Sequence, residues 1–419
     1  MEKKILYIAY NFPPQGGGGV LRSLKFVKYL PYFGWDPIVL TCKKPSYGIY
    51  DESLLEQIPE NIKIERVYTL TPYNFFKILK KIGLSKLRQI IDYLFFIPDK
   101  LIGWIPFAYN RAVKLIKNEG IGVIITTSPP HSTHFIGILV KKKFPNVTFI
   151  ADFRDAWCEN PFRNVKRNSI RDKIESIMER YVIRYADRII FNTHSSLNLH
   201  LKKYGDIIKS KSLYITNGYD SDDFVDIKKK RNDGKFIILH TGDIYGIRSI
   251  KPFIKAIEKL ANNNLEILKK IIVKFVGYSI SGIEKKQVDN SFVGKLFEFE
   301  KFVSHKDCLQ MMVDADLLLL ITGTDENKVM IPSKFYEYLG CGTSILAISE
   351  KGELTDILES CSAGEWAKSD DTTGIARILE KNIFAKTQIT HDKNRIEQFS
   401  RKRLTQSLVE ILNECIKNK

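Results

Sequence analysis

The sequence predicts an α/β protein made of two parallel-sheet domains. Three observations predict it. Short apolar runs alternate with amphipathic helical patterns along nearly the whole chain, as in parallel sheets covered by helices on both faces. The series breaks at a polar, aperiodic stretch, residues 226–234 (DIKKKRNDG), and then begins again. The chain has 419 residues, 44% hydrophobic and 27% charged, enough apolar material for two cores. That mix excludes disordered, collagen-like and disulfide-scaffold chains.

In the first series the strand candidates are residues 5–10, 37–40, 122–126, 148–151, 188–191 and 212–215. Helical patterns fall at 21–32, 111–118, 169–185 and 195–204. The second series has strand candidates at 236–240, 272–276, 297–301, 316–321 and 344–348, with helices at 250–262, 305–313 and 333–339. A final amphipathic helix, residues 399–415, has no strand after it. The expected division is an N-terminal domain over 1–225, joined by the last helix at 399–419, and a C-terminal domain over 230–395. Both are Rossmann-like and expected to face a cleft, with ligands beyond the carboxyl ends of the strands.

The six cysteines form no CxxC pair, so neither a zinc site nor a redox motif is indicated, and reduced thiols are expected. The apolar run near the N-terminus is too short for a signal-peptide core, and no segment approaches the ~18 apolar residues of a membrane-spanning helix. The protein is expected to be cytoplasmic, soluble or peripheral on the inner face of the plasma membrane.

The formal charge is +17, which asks for an anionic partner. Residues 1–225 hold 34 Lys+Arg against 21 Asp+Glu, so the excess belongs mostly to the first domain. It is dispersed, and no RNP motif, zinc-finger spacing or basic heptad accompanies it, which speaks against nucleic acid. Residues 73–107 stand apart. Aromatic and aliphatic residues there alternate with Lys77, Lys80, Lys81, Lys86, Arg88 and Lys100, against only Asp92 and Asp99. Such a pattern fits a helix lying in an anionic bilayer interface, and equally a helix packed on the sheet with solvated lysines.

The chemistry-bearing motifs follow strands. After the first strand, Gly16, Gly17, Gly18 and Gly19 precede a helix, so close backbone approach and unpaired N–H groups make an anion site. Neither register fits GxGxxG, which disfavours a nicotinamide cofactor. The segment TTSPPHSTH places His131 and His134 about one turn apart at a helix start, without the Cys or carboxylate spacing of a metal site. The segment ADFRDAW puts Asp152, Arg154 and Asp155 at a strand end, where they suit a polar acceptor or simply pair with one another. In the second domain, Gly242 and Gly246 permit turns, and Arg248 offers a planar fork to a diphosphate. Further on, Pro332 favours a helix start whose Ser333 and Lys334 N–H groups would face an anion. Lys334 and Glu337 share a face there, and a carboxylate at Glu337 can accept both hydroxyls of a ribose.

In this order, YNFPPQGGGG, SPPHSTH, ADFRDAW, ADRII with TNGYD, HTGDIYGIR, ADLLLL and PSKFYEYLGCG resemble the GT-B glycosyltransferases. Among these, family 4 enzymes of bacterial surface-polysaccharide synthesis are the nearest match. The resemblance spans nearly the whole chain. It implies a retaining transfer of a sugar from a nucleotide-diphosphate donor to a glycan or lipid-diphosphate-linked acceptor, with no metal and no cofactor. It also implies a last helix that crosses back to the first domain.

By resemblance, Glu337 matches the second Glu of the family's Glu-x7-Glu motif, Arg248 the cation on the donor diphosphate, and His134 the His near the reacting sugar. The glycine loop would lie against the donor phosphates. Two positions depart from the pattern. The first Glu of the motif falls at Val329, with Asp325 or Glu326 as substitutes. The Arg usual after the first glycine is Asp243, with Lys334 to restore the charge. A GT-B nucleotide-sugar epimerase and a non-catalytic nucleotide-sugar-binding assembly protein share these features and remain open.

Overall fold

A computed structural model describes residues 3–44, 48–231, 234–277, 282–324, 326, 329–385 and 390–417. The chain divides into two compact units, Met1–Thr216 with Leu404–Lys419, and Asn217–Arg403.

The first unit holds strands β1 (Lys4–Ile8), β2 (Asp36–Cys42), β3 (Lys63–Val67), β4 (Val123–Ser128), β5 (Thr148–Phe153), β6 (Arg188–Phe191) and β7 (Ser212–Tyr214). They form one sheet in the order β3-β2-β1-β4-β5-β6-β7, and every pairing is parallel. All residues of β4 and β5 are buried, as expected where helices cover both faces. Leu6, Ile8, Leu40, Ile124 and Phe149 pack on one side, and Ile5, Tyr7, Val39, Ile125 and Ile150 on the other. The final helix, Arg401–Lys417, adds Leu404, Leu408, Leu412 and Cys415 to this second core. Those residues recur every three or four positions, so one stripe of the helix is apolar.

The second unit holds β8 (Phe236–Thr241), β9 (Ile271–Val276), β10 (Phe297–Glu300), β11 (Leu317–Ile321), β12 (Ile345–Ile348) and β13 (Gly364–Ala367). Their order is β10-β9-β8-β11-β12-β13, again wholly parallel. Each sheet therefore reverses its winding once, between β1 and β4 and between β8 and β11. Crevices open at such reversals, beyond the carboxyl ends of the strands.

Strands β3 and β13 lie outside the sequence expectation. Both are edge strands. An edge strand needs less apolar cover, so KIERV and GEWA carry no continuous hydrophobic run. The polar stretch after residue 226 is anchored on the second unit. Lys229 Nζ and Arg231 Nη2 donate to the Asp316 carboxylate at 2.8 and 2.6 Å, and the Lys230 N–H donates to Asp314 at 2.7 Å. No helix among the described residues is long and apolar enough to cross a membrane.

Candidate functional site

The motif residues of the first unit gather at and just beyond the carboxyl ends of β1, β4 and β5, with Asp152 still within β5. Gly17 has φ 91°, a conformation that favours glycine, and caps the helix Gly18–Tyr29. The Gly16 N–H donates to Ile49 O at 2.8 Å, which pins the loop. Arg154 donates to Gly19 O and lies 3.7 Å from Asp155, so the ADFRDAW turn holds the glycine loop. A side chain at Gly19 would run into the Arg154 guanidinium.

Asp152 points into the domain. It is 1% exposed, and Arg22 reaches it twice, Nε to Oδ2 at 3.1 Å and Nη2 to Oδ1 at 2.8 Å. Thr127 Oγ1 donates to Oδ2 at 2.8 Å, and Arg22 Nη1 donates to Thr216 O at 2.8 Å. The carboxylate thus fastens the first helix to the sheet and does not offer itself to an acceptor. Asp155 stays at the mouth of the turn, its carboxyl pushed up by desolvation.

His131 lies flat on Trp157, with ring centroids 4.8 Å apart and planes 5° apart. His134 is fully buried, its Nδ1 2.7 Å from Thr126 Oγ1. Burial pushes it down to about 3, so it is neutral at physiological pH. Its Nε2 is buried and meets no hydrogen-bond partner among the described residues. A neutral ring with one open nitrogen can exchange a hydrogen bond, but a ligand must first gain access to it.

The second unit assembles the donor-side residues at its own reversal. Gly242 follows β8 with φ 76°, and its backbone runs under the Lys334 ammonium, where a Cβ would come within 3.1 Å of Nζ. Lys334 lies in the first turn of the helix Ser333–Cys341. It donates to Thr241 O and lies 3.3 Å from His240 Nε2. Tyr338, one turn on, accepts from the Thr241 N–H at 2.9 Å, so the helix is fastened to the strand end at two levels. Desolvation, with the neighbouring Arg248 charge adding to it, pushes Lys334 down to about 7.

Arg248 is 9% exposed and held as a fork by Glu326, Nε to Oε2 at 2.9 Å and Nη2 to Oε1. Glu326 in turn accepts from the Gly323 N–H at 3.0 Å. Arg248 Nη1 donates to Asp243 O at 3.3 Å. One Asp243 carboxylate oxygen is buried without a partner among the described residues, and desolvation raises that carboxyl. Val329, where the family pattern has its first Glu, is 5% exposed and packed inward. Of the two acidic substitutes, Glu326 is occupied by Arg248, and Asp325 lies outside the described residues.

Glu337 accepts a 2.6 Å bond from His305 Nε2. Sequence reasoning did not single out His305. Its only local signal is its place as the first residue of a helix capped by Ser304, which carries no hint of a partner 32 positions away. Among the described residues no group of three or more His, Cys, Asp or Glu side chains is placed to hold a metal ion.

No protein-family model matches the chain, and no curated sequence matches it. Solved structures do. Sucrose-phosphate synthase from Thermosynechococcus elongatus superposes with a TM-score of 0.69 at 13% identity, over 100% of both chains. Anabaena HepE in complex with UDP-glucose gives 0.62 at 15% identity, over 98% of this chain and 99% of that one. WaaG, a glycosyltransferase involved in lipopolysaccharide biosynthesis, gives 0.64 at 12% identity, over 97% and 99%. The fold is GT-B. The two groups of motif residues lie at the carboxyl edges of two separate sheets, one in each unit.

Proposed function

We propose that the chain is a retaining glycosyltransferase. It moves a sugar from a nucleotide-diphosphate donor to a hydroxyl of a glycan or lipid-diphosphate-linked acceptor, in bacterial cell-surface polysaccharide synthesis, at the inner face of the plasma membrane. One observation carries the reading. Lys334 donates to Thr241 O and Arg248 Nη1 donates to Asp243 O, so both cations reach the same turn after β8, at the reversal of the second sheet and beside the N-terminus of the helix Ser333–Cys341. Two cations at one strand-end turn, one of them oriented by the Glu326 carboxylate, are suited to an anion with more than one negative charge. The GT-B fold, shared with a protein solved with UDP-glucose, supports a nucleotide sugar as that anion.

The leaving group is a nucleoside diphosphate whose negative charge grows as the glycosidic bond breaks. Arg248, Lys334 and the N–H groups of Ser333 and Lys334 meet that charge from preset positions. Each charge-assisted hydrogen bond contributes about 1.5–3 kcal/mol. Glu326 fixes the guanidinium plane, and Gly242 lets backbone approach the phosphates. Glu337, turned by His305, accepts the ribose hydroxyls. The charge is met without a metal in this proposal, so transfer is expected to continue in the presence of a chelator.

The test is a screen of nucleotide-diphosphate sugars, starting with UDP-glucose, followed by mass analysis of the product. Arg248→Ala and Glu337→Ala are each expected to reduce transfer at least about tenfold. Transfer unchanged in both variants would remove the site assignment. Release of an epimerised sugar without any acceptor would identify an epimerase instead, and binding without turnover an assembly protein.

A further inference from the structure

We infer that the helical pair Tyr73–Lys81 and Ser85–Phe95 is a docking surface for an anionic lipid bilayer, with both helices lying in the plane of the interface. The inference deepens the membrane part of the proposed function, and rests on that reading only for the purpose of the contact. Sequence left two readings of this segment, core-packed or interfacial.

The structure separates the apolar residues into two sets. Phe76 and Leu79 of the first helix turn inward, at 5% and 7% exposure. Phe75, Ile78 and Ile82 form a second stripe, 49–60% exposed. The second helix buries no residue and presents Leu87, Ile90 and Leu94 at 43–57% exposure. Both outward sets have the spacing i, i+3, i+7, which places each on a single helical face. Phe95, 72% exposed, extends the second stripe. Exposed apolar stripes of this kind mark a partner.

The charges choose among partners. By helical spacing Lys81 flanks the first stripe and Lys86 the second, and Lys77, Lys80 and Arg88, farther round the helices, add positive charge. The one acid of the pair, Asp92, is engaged by Lys100 at 2.8 Å. A second copy of this surface would set cations against cations. Lipid phosphates complement both the cations and the stripes, the pattern of helices that lie in an interface.

The pair is held rigidly at its base. Arg171 donates to the carbonyls of Asp92, Tyr93, Phe96 and Pro98 at 2.8–3.2 Å, which ties the last turn of the second helix and the residues after it to one side chain. Tyr93 OH donates to Ser169 Oγ at 3.1 Å. Just past the pair, Asp99 accepts from Ser132 N and Oγ at 2.9 and 2.8 Å. The surface is therefore tied to the loop that carries His131. A docked pair would bring that loop to the bilayer, where a lipid-linked acceptor resides.

The experiment is sedimentation of the full chain with phosphatidylcholine vesicles, with and without phosphatidylglycerol, at low and high salt. Binding is expected on the anionic vesicles and expected to weaken with salt. Lys81→Gln with Lys86→Gln should lower it roughly fivefold for each lysine removed. Ile78→Ser with Ile90→Ser should lower it about tenfold or more, through lost apolar burial. All four positions are exposed, and an unchanged melting temperature would show that the variants fold. Equal binding to both vesicle types, or binding unaltered in both variants, overturns the inference. So does self-association that Ile78→Ser with Ile90→Ser abolishes, without vesicle binding. No nucleotide sugar enters the assay, so its outcome is independent of whether the chain transfers one.

Discussion

Lys334 gives the sharpest test of the donor site, because its charge changes within the working pH range. Burial and the Arg248 charge push it down to about 7. A nucleotide-diphosphate sugar keeps its phosphate charges between about pH 6 and pH 8. Over that range the protonated fraction of Lys334 falls from about nine-tenths to about one-tenth. Apparent affinity scales with the competent fraction, so the dissociation constant should rise as much as about tenfold, or about 1.4 kcal/mol. The direction follows from charge: binding is strongest where the ammonium is protonated and weakens as pH rises through about 7.

The assay is calorimetric titration with UDP-glucose first, in buffers of different ionisation enthalpy, since binding on the alkaline side must take up a proton. His240, beside Lys334, is held neutral well below this range by its own desolvation and adds no slope. The His305–Glu337 pair remains in a Lys334→Met variant, so any slope it produces stays visible there. Lys334→Met should bind more weakly and lose the lysine's pH slope. Lys334→Arg, always charged, should lose the slope as well. A wild-type slope no steeper than that of Lys334→Met would refute the assignment.

Other predictions concern the framework that carries the sites. Asp152→Ala leaves the fully buried Arg22 without its counter-ion and should cost about 3–5 kcal/mol in chemical denaturation, whereas Arg22→Met with Asp152→Leu should recover much of that loss. Glu179, fully buried against Lys203, Tyr204, His200 and the Cys158 N–H, is held down at about 2 against an ordinary 4.5. Its contribution, up to about 3 kcal/mol, should be present above about pH 4.5 and vanish as pH falls through about 2; Glu179→Gln should lack that acid-sensitive component of the unfolding curve. Gly137→Ala would ordinarily stabilise a helix by about 1 kcal/mol. Here the new Cβ would run into the ring of buried Phe149, so a loss of about 1–3 kcal/mol is expected in thermal unfolding.

Much of the fold could be read from the residues, because parallel strands buried on both faces need unbroken apolar runs. LLLLI at β11 and the apolar start of β4 announce themselves. KIERV and GEWA do not, since edges relax that need. Gly242, Arg248, Lys334 and Glu337 could be picked out as candidates from the sequence, because turn glycines and helix spacing are local signals. His305, Arg22 and Glu326 were not marked out as partners. Each acts through a contact 32, 130 or 78 positions away, and local spacing carries no trace of such separations.

By itself, then, the sequence determined the strand–helix alternation, the two sheets and which residues stand at strand ends. These depend on periodicity and on short-range backbone geometry. Only the tertiary structure decided which way those residues face. It turned Asp152 inward onto Arg22, joined Arg248 to Glu326, buried His134, and left Phe75, Ile78, Leu87 and Ile90 in solvent. An amphipathic pattern states that a helix has two faces. Which face meets the core depends on neighbours brought together from distant parts of the chain.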